Sequence, residues 1–230
     1  MKPALKAILF DLDGTLVDSV PDLAWAIDQM QAHFQLPPCG ENQVRNWVGN
    51  GVDQLVRRAL TNGNDTASVD PMLYSKALAS FKHHYGCEPS RYSRTYPHVE
   101  DTLDHFARRH IKLAVVTNKA TRFTEQLLAD KQLDSWLSAT VCGDTLAVKK
   151  PAPQPLSHAL KLMNVAPDAA VMVGDSKNDV GAARALKLPV ICKTEGYNHG
   201  EDIALSQPDA IFEDFSELPS CIDHVWQAGQ

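Results

Sequence analysis

Four short apolar runs, Ala7–Phe10, Leu113–Val116, Ala169–Val173 and Pro189–Cys192, constrain the fold more than any other feature of the chain. Each is apolar throughout rather than alternating, which suits strands buried on both faces of a parallel sheet. Weaker runs lie near Ala139–Cys142 and Ala210–Phe212. Helical spacing separates the later runs: Phe123, Leu127 and Leu128 form one stripe, and Leu156, Ala159, Leu160 and Met163 another. Strand and helix in alternation predict an α/β fold built on a parallel sheet.

The first connection breaks the pattern. A crossover needs only a few tens of residues, yet no convincing strand occurs between Phe10 and Leu113. Three helical stripes fill the interval instead: Leu23, Ile27, Met30 and Phe34; Val52, Leu55, Val56, Ala59 and Leu60; and Tyr74, Leu78, Phe81 and Tyr85. Thr61–Asp70 is polar, rich in Gly and Asn, and reads as a loop. The expected organisation is therefore an all-helical domain, residues 19–92, inserted into a core made of residues 1–18 and 93–230.

Composition narrows the function. The net charge of −6 argues against nucleic acid as a partner, because phosphate backbones need a basic face. The five cysteines show no Cys-x-x-Cys spacing, so free thiols in a reducing cytoplasm are expected. The N-terminal apolar run is cut off by Asp11, too short for a signal peptide or a membrane span. A monomer or homodimer acting on a small molecule is the expectation, and His83–His84 reads as solvated surface.

Polar residues cluster where the apolar runs stop. Asp11 and Asp13 follow the first, Thr117-Asn118 the second, and Gly174-Asp-Ser-Lys-Asn-Asp179 the third, while Lys149-Lys150 comes just after the weak run. Ligands of open parallel sheets bind outside the carboxyl ends of the strands. Clustered carboxylates repel unless a cation lies among them, and oxygen donors without Cys or His point to a hard ion, Mg²⁺ before Ca²⁺. Such an ion beside a lysine suits phosphoryl transfer. One carboxylate can attack phosphorus, and a second can pass protons.

The DLDGT stretch at Asp11–Thr15, Thr117 in VVTN, Lys150 in KKPAP and GDSKND at Gly174–Asp179 together resemble the four motifs of the haloacid dehalogenase superfamily of phosphohydrolases. Arg45–Gly51, Leu55–Leu60, Gly143–Leu146 and Gly196–Asn198 are similar to the phosphoglycolate phosphatases within it. The resemblance implies a Rossmann-like core with an inserted all-helical cap, and a Mg²⁺-dependent hydrolase of a small phosphorylated metabolite, working through an aspartyl-phosphate. Asp11 is then the nucleophile and a metal ligand. Asp13 is the general acid/base, with its backbone carbonyl on the metal. Asp175 completes the ligands and Asp179 supports them from behind. Thr117, the backbone of Asn118 and Lys150 hold the phosphoryl group.

Recognition of the remainder of the substrate is expected from Arg45 and the glycines of its loop, the competing reading being that Arg45 only holds the cap together. Lys149 reads as a solvated charge, Trp47 as a packing anchor, and Asp18 and Asp22 as acids favouring a helix start. His98 and His199 replace the glycine and tyrosine that the family usually carries, which would alter cap closure or substrate choice. Asp13 speaks against a phosphonate hydrolase or a dehalogenase. The rival functions are a sugar phosphomutase, a broad-specificity sugar or nucleotide phosphatase, and a phospho-acceptor regulatory protein.

Overall fold

The computed structural model describes residues 3–228; the outermost residues assigned above to the core, 1–2 and 229–230, lie outside the described residues. Six strands, β1 (Ala7–Phe10), β4 (Lys112–Val116), β5 (Leu137–Val141), β6 (Ala170–Gly174), β7 (Val190–Lys193) and β8 (Ala210–Phe212), form one parallel sheet in the order β5-β4-β1-β6-β7-β8. β1 is central, with Phe10 opposite Val115 on one side and Val173 on the other.

The run of four apolar residues in β1 follows from burial on both faces. Ile8 and Phe10 pack with Leu103 and Phe106 of α5 (Val99–Arg108) and Ile222 of α9 (Leu218–Ala228). Ala7 and Leu9 pack on the opposite face with Leu156 and Leu160 of α7 (Gln154–Met163) and Val180 and Ala183 of α8 (Lys177–Ala185). β5 is an edge strand, and its residues Leu137, Ala139 and Thr140 are only half-buried. That explains why its apolar run is weak and why it begins two residues before the run at Ala139.

Four helices, α1 (Val20–His33), α2 (Glu41–Arg45), α3 (Val52–Thr61) and α4 (Pro71–Cys87), occupy the long first connection. The three stripes converge on one cluster that includes Leu23, Ile27, Met30, Leu55, Val56, Phe81 and Tyr85. Asp70 caps α4 by accepting from the Leu73 N–H at 2.8 Å, with Pro71 next in the chain.

Two features correct the sequence reading. First, the connection does contain strands: β2 (Val17–Asp18) pairs antiparallel with β3 (Arg94–Thr95), one on each side of the helices. A two-residue strand has no periodicity to read. Second, Asp22 does more than favour a helix start. It is buried in α1 and accepts from the N–H groups of Tyr92 (2.8 Å) and Ser93 (2.6 Å) and from the Ser93 hydroxyl. It thereby ties the outgoing chain to the returning one. Asp18 lies in β2, ahead of the helix.

Candidate active site

The sheet reverses its winding at β1, so the loops after β1, β4 and β6 surround one crevice. Asp11 follows β1, its N–H held by the Val173 carbonyl at 2.9 Å. Lys150, with its side chain 1% exposed, places Nζ 2.9 Å from Asp11 Oδ1 and 2.7 Å from Asp179 Oδ1. The other oxygen of Asp179 accepts from the Ser176 N–H (3.0 Å) and hydroxyl (2.7 Å), within the first turn of α8. A carboxylate there also gains from the helix dipole. Asp175 accepts from the Thr15 hydroxyl and from the Tyr197 N–H, both at 2.5 Å. Gly196 makes that approach possible: a Cβ added to it would lie 2.1 Å from Asp175 Cβ.

Oxygens of Asp11, Asp175 and Asp179 lie within 4.8 Å of one another. Burial raises the Asp11 carboxyl to a pKa of about 7, with Asp179 adding to the effect and Lys150 opposing it. Asp175 is likewise pushed well up, by burial and then by Asp11 and Asp179. Burial works to lower the Lys150 pKa, but Asp11 and Asp179 together hold it above its ordinary value. Buried carboxylates this close, with oxygen donors only, fit a small hard divalent cation. Asp179 is already engaged by Lys150 and Ser176, which leaves Asp11 and Asp175 as the side chains freer to ligate.

Asp13 faces elsewhere. Its carboxylate accepts from the Ser19 hydroxyl at 2.5 Å and from Lys119 Nζ at 3.0 and 3.2 Å. Both Asp11 and Asp13 line an open cleft, together with Thr117, Asn118 and Lys119 from the loop after β4. Leu23, Val48, Val52 and Leu55, with Gly49 and Gly51, form the opposite wall. The loop carrying those glycines rests on the core. The Gly49 carbonyl accepts from Asn118 Nδ2 (2.9 Å) and Asn178 Nδ2 (3.2 Å), and His199 Nδ1 lies 3.1 Å from the Asn46 carbonyl. Positive φ at both glycines, 114° and 85°, lets the backbone make this approach.

A model of the haloacid dehalogenase-like hydrolase family matches residues 8–193. The chain belongs to the haloacid dehalogenase-like hydrolases. It is 43% identical over 218 residues to the phosphoglycolate phosphatase of Nitrosococcus oceani, covering 95% of this chain and 96% of that one. It is 42% identical over 219 residues to the phosphoglycolate phosphatase of Pseudomonas putida, covering 95% and 80%. Among solved structures it is similar to a predicted phosphoglycolate phosphatase from Haemophilus somnus 129pt, with a TM-score of 0.89 and 36% identity, covering 95% of this chain and 98% of the other.

Most of the expected residues of this hydrolase come together. Asp11, Lys150, Asp175 and Asp179 form the buried cluster, and Asp13, Thr117 and Asn118 adjoin it along the cleft. The Asn118 side chain has a structural task besides: its Oδ1 accepts from the Lys150 N–H and its Nδ2 donates to the Lys150 carbonyl, both at 3.0 Å. Arg45 is the exception. Its guanidinium bonds Asp18 (3.2 Å) and Glu41 (2.9 Å), stacks over the Tyr197 ring and is absent from the cleft lining. Its side chain links α2 to Asp18 of β2. Lys149 is half-buried rather than fully solvated, its Nζ 2.7 Å from where a Gly51 Cβ would lie.

The two departures from the family pattern separate in space. His98 sits at φ 61°, where glycine is favoured, outside the cleft and 3.9 Å from Asp101 and Asp214. His199 touches the glycine loop. Sequence reasoning missed Lys119, Thr15, Ser19 and Tyr197. Lys119 directly follows Thr117-Asn118, so its position at a strand end was the available signal. Tyr197 is buried, and its hydroxyl donates to Asp18 while accepting from the N–H groups of Ser19 (3.0 Å) and Val20 (3.2 Å). Only the fold brings these partners together.

Proposed function

We propose that this chain is a phosphatase for a small acidic phosphomonoester, 2-phosphoglycolate, yielding glycolate and phosphate. The observation that carries the reading is one cleft in which Asp11, bonded to Lys150, and Asp13, bonded to Ser19 and Lys119, face a wall of small and apolar side chains. The relatives' names point to the same substrate.

In the mechanism we infer, an Asp11 oxygen attacks phosphorus, and the bond from phosphorus to the ester oxygen breaks. Asp13 gives its proton to that departing oxygen. A water then attacks the aspartyl-phosphate, Asp13 takes the water's proton, and the acyl phosphate bond breaks to release phosphate and restore Asp11. Thr117, the Asn118 backbone and Lys150 hold the phosphoryl oxygens. Lys150, fixed between Asp11 and Asp179, aims the nucleophile and offsets its charge. Mg²⁺ held by Asp11, Asp175 and the Asp13 carbonyl would supply charge stabilisation to the phosphoryl group.

We assign residues 19–92 the part of a cap, whose apolar wall excludes water from the reacting atoms. No helix among the described residues is long and apolar enough to cross a membrane, and the five free cysteines suit the reducing cytoplasm we propose as its compartment. Phosphate release from a panel of phosphoesters, with Mg²⁺ and after chelation, tests the function. The expected result is fastest turnover of 2-phosphoglycolate, abolished by chelation and restored by Mg²⁺. No release from 2-phosphoglycolate, or migration of phosphate to a second hydroxyl, overturns it.

A further inference from the structure

A doubly functional anionic substrate sets this cleft an electrostatic problem. Asp11, Asp13, Asp175 and Asp179 supply four carboxylates around it, against the ammonium groups of Lys119 and Lys150. Lys150 is committed to Asp11 and Asp179. The insert facing the cleft contributes no cation to its lining. Its arginines are occupied: Arg45 with Asp18 and Glu41, Arg57 over the Tyr74 ring, Arg58 with Asp65, Asn50 and the Trp47 carbonyl, and Arg91 with Glu88. Among the lining residues Lys119 is the one cation.

We propose that Lys119, assisted by the Tyr85 hydroxyl, is the group that recognises the carboxylate of the substrate's leaving portion. This rests on the phosphatase reading above. Three observations support it. The Lys119 side chain is 3% exposed, yet it reaches the cleft and lies within 3.2 Å of both oxygens of Asp13. Asp13 is the residue assigned to protonate the ester oxygen, so that oxygen must come within hydrogen-bond reach of it. In 2-phosphoglycolate the carboxylate carbon is two bonds of ~1.5 Å from the ester oxygen, so a leaving group on Asp13 puts its carboxylate beside Lys119.

The third observation is Tyr85. Its side chain is 1% exposed, and its ring centroid lies 5.0 Å from Lys119 Nζ. The hydroxyl lies within weak hydrogen-bonding reach of Lys119 but makes no bond of full geometry among the described residues, and it feels the charges of Lys119 and Asp13. A buried hydroxyl without a partner is costly unless a ligand or water meets it. A substrate carboxylate held by Lys119 supplies that partner, and Lys119 exchanges part of its contact with Asp13 for it. Arg45, the earlier candidate for this task, has both of its carboxylate partners within the insert and its linker.

The test compares kcat/KM for 2-phosphoglycolate with that for ethyl phosphate, which has the same carbon count and no carboxylate. Lys119→Met removes the charge with little change of volume. Both esters should lose the contribution of Lys119 to orienting Asp13, and 2-phosphoglycolate should lose in addition about 10- to 150-fold, the worth of a charge-assisted hydrogen bond. Tyr85→Phe should lower the same ratio several-fold, because the hydroxyl that would meet the substrate carboxylate beside Lys119 is gone. Glycolate should raise the thermal midpoint of the Mg²⁺-loaded wild-type protein and leave that of Lys119→Met unchanged, a readout independent of turnover. Equal losses for both esters, with glycolate still stabilising Lys119→Met, overturn the proposal while leaving the phosphatase standing. A wild-type protein that turns over neither ester overturns the phosphatase reading, and glycolate protection then decides the role of Lys119 by itself.

Discussion

Replacing Asp22 distinguishes a tie between chain segments from a helix-dipole effect, because the two differ several-fold in magnitude. The carboxylate is 1% exposed and accepts three hydrogen bonds, from the Tyr92 N–H, the Ser93 N–H and the Ser93 hydroxyl. Ser93 is as deeply buried, so its two donors have no water to turn to, whereas Tyr92 is exposed. Each buried donor left unpaired costs about 1–3 kcal/mol, so Asp22→Ala should lose about 2–6 kcal/mol of stability. Asp22→Asn keeps the shape and one acceptor but turns an N–H₂ group toward a donor, and should lose about 1–3 kcal/mol. A favourable interaction with the α1 dipole alone is worth only about 0.3–1 kcal/mol and is screened by salt. Urea denaturation of the wild type and both variants, in low and high salt, reads the difference. A loss below about 1 kcal/mol for Asp22→Ala that disappears in high salt would refute the tie and restore the dipole account.

Asp11→Asn should abolish turnover by removing the nucleophile, and Asp13→Asn should slow it about 10²- to 10⁴-fold by removing proton transfer, both read as phosphate release. Without metal, folded Asp11 keeps its proton to about pH 7, whereas the ordinary value is 3.8. The folded state then binds more protons across that window, so stability of the metal-free chain should fall as pH rises from about 4 to 7. Mg²⁺ should therefore raise the thermal midpoint more at pH 8 than at pH 5.5, and an equal rise at both would count against Asp11 as a ligand. Gly196→Ala forces a methyl to within 2.1 Å of Asp175 Cβ, which should cost about 1–3 kcal/mol and weaken Mg²⁺ binding in a calorimetric titration. His98→Gly relieves a left-handed backbone, worth about 1–2 kcal/mol, against about 0.4–1 kcal/mol of added unfolded-state entropy. A small gain in urea stability with unchanged activity is expected, since His98 lies outside the cleft.

The parallel sheet was legible because burial on both faces of β1 and β6 demands unbroken apolar runs, and strand ends announce themselves by the polar residues that follow. Asp11, Thr117, Lys150 and Asp175 were legible for the same reason, each lying at or near the end of a strand or in the loop beyond it. What escaped depends on pairings far apart in the chain. The β2–β3 pair joins Val17 to Thr95, and Asp22 meets Ser93 across 71 positions. Neither leaves a periodic trace. Arg45 pairs with Glu41 at i,i+4, a spacing visible in the sequence, whereas its bond to Asp18 across 27 positions is not.

The division of charge between the two sides of the cleft has a physical logic. An arginine on a segment that moves would carry its charge into and out of water with each opening, and a desolvated charge is costly unless paired throughout. Here the cations at the reacting end belong to the sheet. Lys150 and Lys119 are buried against Asp11, Asp179 and Asp13. Leu23, Val48, Val52 and Leu55 supply the wall at little desolvation cost. The Gly49 carbonyl, held by Asn118 and Asn178, then fixes how closely that wall approaches. Under the proposed function, positive charge supplied locally by the core would let a chain of net charge −6 receive an anion.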